Sequence, residues 1–131
     1  MNDRGTYVQN RILTFIYFVF SLYDRRVPVS EILPLIAETD LEMIFPSFQK
    51  IISHEGFTSW YNSGGIISNS YNVKVLSATQ NDTNSYEVKL YVSWQARTNE
   101  GVKSMSTFQK WLIIDGGDYW PRIQRHRAIA L

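Results

Sequence analysis

Cysteine is absent from this 131-residue chain. That excludes a disulfide framework, a thiolate nucleophile and any cysteine-based metal site. A cysteine-free chain is compatible with a reducing compartment, and a cytoplasmic location is the expectation. An excess of one charge is missing too. The formal net charge is +1, so nothing global attracts nucleic acid or an anionic membrane. A bilayer-length apolar run is also lacking. Residues 12–23, ILTFIYFVFSLY, fall short of the roughly 20 apolar residues a spanning helix needs. Arg11 closes that run on one side and Asp24-Arg25-Arg26 on the other, and no small-residue cleavage site follows. The expectation is therefore no nucleic-acid partner and no membrane partner.

Phosphate loops and catalytic signatures are missing as well. Gly64-Gly65 and Gly116-Gly117 do not sit between a strand and a helix N-terminus at the required spacing. There is no GxSxG motif. Only two histidines occur, His54 and His126, and neither has a second ligand at metal-binding spacing. No cofactor and no metal are expected.

Aromatic residues are plentiful, at 15% of the chain. They suit a core filled with large side chains, and equally a pocket walled by rings. The length fits one domain spanning residues 1–131. Residues 6–23 read as an enclosed helix, since apolar side chains run nearly all round it after Ile12. Pro28 and Ser30 open a second helix over residues 30–36, with Ser30 as N-cap and Pro34 in the first turn. Residues 40–45 alternate as a strand that Pro46 ends. Ser47 then caps a third helix over residues 48–62, with Gly64-Gly65 as its stop.

From Ile66 onward the signals are β. Residues 66–67 and 72–79 form two strands, followed by a turn over residues 80–84. Residues 86–97 alternate cleanly, Thr98-Asn99-Glu100-Gly101 turns, and residues 102–114 return. A second turn at Asp115-Gly116-Gly117-Asp118 leads into the last strand. Helices first and an antiparallel meander after specify an α+β domain. The penultimate strand is apolar on both faces, with Phe108 and Leu112 on one and Trp111 and Ile113 on the other. A homodimer through the sheet face bearing Trp111 and Ile113 would cover the second face.

This order of elements resembles the nuclear transport factor 2-like superfamily, which includes the SnoaL-like cyclases. Three local marks carry the resemblance over nearly the whole chain. They are Leu41-Glu42-Met43-Ile44-Phe45-Pro46, His54-Glu55-Gly56-Phe57-Thr58-Ser59-Trp60-Tyr61, and the closing hairpin from Trp111 through the Asp-Gly turn to Trp120-Pro121-Arg122-Ile123. The resemblance implies helices packed in the concave face of a strongly curved, mostly antiparallel sheet, a cystatin-like cone with a pocket. It also implies positions for catalysis. Those of a ketosteroid isomerase fall on Phe45, Phe18 and Phe108, with Tyr17 beside Phe18. A phenyl ring neither takes nor donates a proton, so isomerase chemistry of that kind is excluded at these positions. The His pair of a scytalone dehydratase-like site would need His54, whose helical neighbours Ser53 and Glu55 are polar, which places it in solvent. The Asp-Arg-Asp set of the epoxide hydrolases has no match, because Asp115 and Asp118 lie in a turn.

The expected pocket lining is Tyr17, Phe18, Phe45, Trp60, Phe108, Lys110 and His126. Strand parity puts Lys110 on the face of Phe108, and Arg122 on the face of His126. His126 is then the polar functional residue and Lys110 its anion partner. Three functions remain open: binding of a small apolar or carboxylated molecule without catalysis, SnoaL-like proton-transfer chemistry using His126 with Tyr17 or Tyr61, and a dimerising accessory or association subunit.

Overall fold

The computed structural model describes residues 3–116 and 120–131, with side chains from residue 9 onward. Gly117 and Asp118 of the expected second turn lie outside the described residues.

The first helix, α1 (Asp3–Asp24), is longer than its apolar stretch. Ile12, Phe15, Ile16 and Val19 are fully buried along it, and Phe20, Leu22 and Tyr23 nearly so. It lies against the long strand β2. Among the described residues no helix is long and apolar enough to cross a membrane.

The helix expected over residues 30–36 is instead two 3-10 turns, Val29–Glu31 and Leu33–Leu35. Ser30 is not a cap. Pro28 holds that position without a side-chain bond, and Pro34 falls at the start of the second turn. Two prolines six residues apart leave too little chain for continuous α-helical bonding.

Strand β1 (Glu42–Ile44) buries Met43, with Leu41 and Phe45 buried on either side. The third helix starts later than expected. Ile51 folds back on Met43, each backbone N–H donating to the other's carbonyl at 2.9 Å. That bridge takes residues 48–52 out of any helix. Helix α2 is His54–Tyr61, and Ser53 is its N-cap, accepting from the Gly56 N–H at 3.1 Å. Ser47, the expected cap, sits at φ +60° in the tight turn after Pro46.

The remaining strands are β2 (Ile66–Asp82), β3 (Ser85–Thr98), β4 (Gly101–Ile114) and β5 (Arg122–Ala130). They form one sheet in the order β1-β5-β4-β3-β2, antiparallel except for the parallel β1–β5 pair. The two strands expected over residues 66–79 are one. Register shifts at Ile67, Leu76 and Asn81 break its alternation while the ladder to β3 continues. Such bulges bend a strand and increase its twist.

One face of the sheet carries Val88, Leu90, Val92, Trp111, Ile113 and Ile123 into the core under the helices. Trp111 and Ile113 are fully buried there, so they cannot be the dimer face expected of them. The outer face carries Tyr91, Phe108, Lys110 and Leu112. On β5 an extra residue, Gln124, is inserted opposite the Leu112–Ile113 step. The bulge reverses parity, so His126 shares the inner face with Ile123 and not with Arg122.

Candidate functional site

The inner ends of the strands build a closed floor. Met43, His126, Trp111 and Val88 lie side by side across β1, β5, β4 and β3. All four are at most 3% exposed. Above this floor opens a cavity of about 470 Å³. Lys103, Met105, Thr107 and Gln109 line it along β4. Six strand steps at about 3.3 Å each make that wall about 20 Å long.

Aromatic rings form the helix side. Phe45 stacks on Trp60 with ring centroids 3.9 Å apart and planes 9° from parallel. Phe45 and the His126 ring meet edge-to-face, with centroids 4.6 Å apart. Phe20, Tyr23, Tyr61 and Tyr71 continue the wall. Tyr23 touches Tyr61 and Tyr71 at 6.2 and 5.7 Å. Proline explains part of this placement: Pro46 ends β1 and leaves Phe45 at the strand tip, against the ring of Trp60.

Lys103 puts one cation at the outer end of the sheet side, and the polar groups along the rest of that side are uncharged. Trp111 Nε1 donates to Gln109 Oε1 at 2.9 Å, and Gln109 Nε2 donates to Thr107 Oγ1 at 3.0 Å. Trp94 Nε1 donates to Asn69 Oδ1 at 2.9 Å. Two polar groups stand apart. Neither ring nitrogen of His126 has a hydrogen-bond partner among the described residues, and neither does the Tyr23 hydroxyl. Burial drives the His126 pKa from 6.5 down to about 3, so the ring is neutral near pH 7. Burial, reinforced by Tyr71 and Tyr61, raises the Tyr23 hydroxyl well above the usual phenol range. Burial likewise raises Tyr71, with Asp24 adding to the effect.

The structure gathers three of the seven expected lining residues, Phe45, Trp60 and His126, around the cavity. The other four lie elsewhere. Tyr17 is 49% exposed on the outside of α1. Phe18 stacks on Trp120 at 5.2 Å, away from the cavity. Phe108 meets Tyr91 edge-on at 5.8 Å on the outer face. Lys110 shares that face and pairs with Glu87 at 3.3 Å. His54 is not simply solvated: its Nε2 lies 2.9 Å from the Ile36 carbonyl oxygen. Tyr61 reaches the cavity, but its hydroxyl donates to the Val27 carbonyl at 2.6 Å.

Sequence reasoning missed Tyr23, Thr107, Gln109, Arg26 and Lys103. The parity of Trp111 and Ile113 was the available signal for Thr107 and Gln109, because buried residues on one strand share a face. Among the described residues, no group of three or more His, Asp or Glu side chains is placed to hold a metal ion.

No family model matches the sequence, and no curated protein matches it. Solved structures do. A scytalone dehydratase-like protein of Novosphingobium aromaticivorans superposes with a TM-score of 0.83 at 10% identity, over 100% of this chain and 89% of that one. A nuclear transport factor 2-like superfamily protein of Salmonella enterica gives 0.81 at 11% identity, over 96% and 92%. The beta subunit of the benzoate 1,2-dioxygenase of Burkholderia mallei gives 0.70 at 15% identity, over 92% and 88%. At these identities the likeness establishes architecture alone. The chain has the cone-shaped α+β fold of the nuclear transport factor 2-like superfamily.

Proposed function

We propose that this chain is a binding domain that holds an apolar small molecule in its aromatic cone, without proton-transfer catalysis. The observation that carries this reading is the cavity itself: about 470 Å³, walled by stacked rings on one side and mainly neutral hydrogen-bonding groups on the other. Few precisely placed polar groups among apolar walls is the usual composition of a ligand pocket. A cone filled by its own side chains would instead favour a purely structural subunit.

The enzyme reading has less support. No Asp or Glu lines the cavity among the described residues. His126, with a pKa of about 3, is a weak base near pH 7 and is not in the imidazolium form that a general acid needs. Tyr17 lies outside and the Tyr61 hydroxyl is already bonded, so both expected tyrosine partners are lost.

Calorimetric titration with 1-decanol, an uncharged apolar probe, tests the proposal. Saturable binding to the wild type is expected, with at least a tenfold loss in Ala128→Phe. Ala128 lines the cavity, and a phenyl ring there occupies its volume. Equal binding by a folded Ala128→Phe protein would place the probe elsewhere.

The proposal extends to a homodimer through the outer sheet face. Tyr91, Phe108 and Ile129 lie in one cross-strand row on that face, and Tyr91 and Ile129 are 45% and 50% exposed. Uncovered apolar rows of this kind suit a second copy of the chain. A cytoplasmic location belongs to the same proposal and is checked by cell fractionation.

A further inference from the structure

The cavity has a charge asymmetry along its length. Among its described lining residues only Arg26 and Lys103 bear a full charge, and both are cations. They belong to the same end. Lys103 lies near the start of β4, opposite Ala96 near the end of β3. Arg26 follows α1, and its Nη1 donates to the Tyr61 carbonyl at 3.2 Å, where α2 ends. From there the chain passes Gly64 and enters β2 at Ile66, which pairs with Thr98 at the end of β3. These termini together form the mouth.

The opposite end holds Gln109 and His126, about 20 Å away along the strand by the strand rise. It offers neutral dipoles and no cation. An anion buried there would lose its hydration without a partner charge, which is the costliest way to bury a polar group. At the mouth, the cations retain capacity. Lys103 pairs with Glu100 at 3.5 Å, but both side chains are exposed, and such pairs hold weakly. Arg26 lays its guanidinium over the Tyr61 ring at 4.7 Å, and a guanidinium has five N–H donors, of which the Tyr61 carbonyl takes one.

We propose that the ligand is an elongated apolar monoanion that enters apolar end first and leaves its charged end at the mouth, between Arg26 and Lys103. This rests on the reading of the cavity as a ligand site. The length of the β4 wall favours a long narrow body over a compact one. The neutral inner stripe of Thr107 and Gln109 accommodates at most an uncharged polar atom there.

The test compares decanoate with 1-decanol, which share a chain and differ in charge at one end. In calorimetry at low salt, decanoate is expected to bind at least tenfold more tightly, and added salt should shrink that advantage. Lys103→Gln should cut decanoate affinity about threefold, and Arg26→Gln with Lys103→Gln should erase the advantage, with 1-decanol unaffected. Equal affinity of the two probes for the wild type overturns the anion assignment while leaving the cavity reading intact. So does an equal loss for both probes in the variants. Binding of neither probe overturns both readings. Arg26 touches Tyr61, so its replacement can disturb folding. Lys103 is exposed, and Lys103→Gln alone then decides.

Discussion

Neither ring nitrogen of His126 is hydrogen-bonded among the described residues, and an unsatisfied buried polar group costs about 1–3 kcal/mol. A side chain retained at such a cost is expected where binding uses it. His126→Phe should therefore raise stability by about 1–2 kcal/mol, read as a higher urea midpoint, while weakening ligands that carry an inner polar atom. The pH dependence follows from the same burial. The folded pKa of about 3 lies below the ordinary 6.5, so the unfolded chain binds more protons between these values. The contribution of His126 is fully present above about pH 6.5 and is lost as pH falls toward 3. Thermal melts should show the wild-type midpoint falling from pH 7 to pH 4, with a shallower fall in His126→Phe. Parallel pH profiles for the two proteins would show that His126 is not desolvated as described. The inward position of His126 was legible in the sequence, but its company was not. The extra residue Gln124 breaks alternation on β5, and a bulge leaves no trace in an apolar–polar pattern. On β4, the family resemblance set Phe108 at the pocket-facing position, one residue away from Gln109, which faces the cavity. The outer face accepts Phe108 because Tyr91 packs against it.

At the scale of elements, the start of α2 distinguishes two sequences with equal local merit. Ser47 and Ser53 each precede a plausible helix, and only long-range pairing of Ile51 with Met43 chooses between them. Helix propensity is weak against two backbone hydrogen bonds fixed by tertiary packing. Ser53→Ala should cost about 1 kcal/mol of stability by loss of the cap. Ser47→Gly should be neutral or stabilising by a few tenths of a kcal/mol, since glycine relieves the φ of +60°. A urea titration of both variants checks this pair, and the reverse ranking would restore Ser47 as the cap. The long strands β3 and β4 were legible because they lie inside the sheet and alternate between core and outer face. Strand β2, at the edge, was read as two pieces because its polar residues and three register shifts dilute the pattern.

For the whole molecule, the order of helices and strands was enough to anticipate an α+β domain with helices on one face of an antiparallel sheet, and the family resemblance supplied the cone. The outer surface was misassigned because a two-sided apolar strand does not say which side the helices take. With Trp111 and Ile113 inside, the apolar row left uncovered is Tyr91, Phe108 and Ile129, and the proposed dimer uses that row. Phe108→Lys should shift a dimer toward monomer in sedimentation at micromolar concentration without lowering the thermal midpoint of the monomer, and a wild type already monomeric there would remove the dimer. The central claim concerns the cavity, and the four tryptophans report on it from different places. Trp60 and Trp94 line it, Trp111 lies sealed at its floor, and Trp120 is half-exposed on α1's outer side. A proton–nitrogen NMR titration with 1-decanol reads all four indole N–H signals at once. Saturable shifts of Trp60 and Trp94 with Trp120 unmoved are the expected result; shifts confined to Trp120, or none at all, would contradict a ligand in the cone.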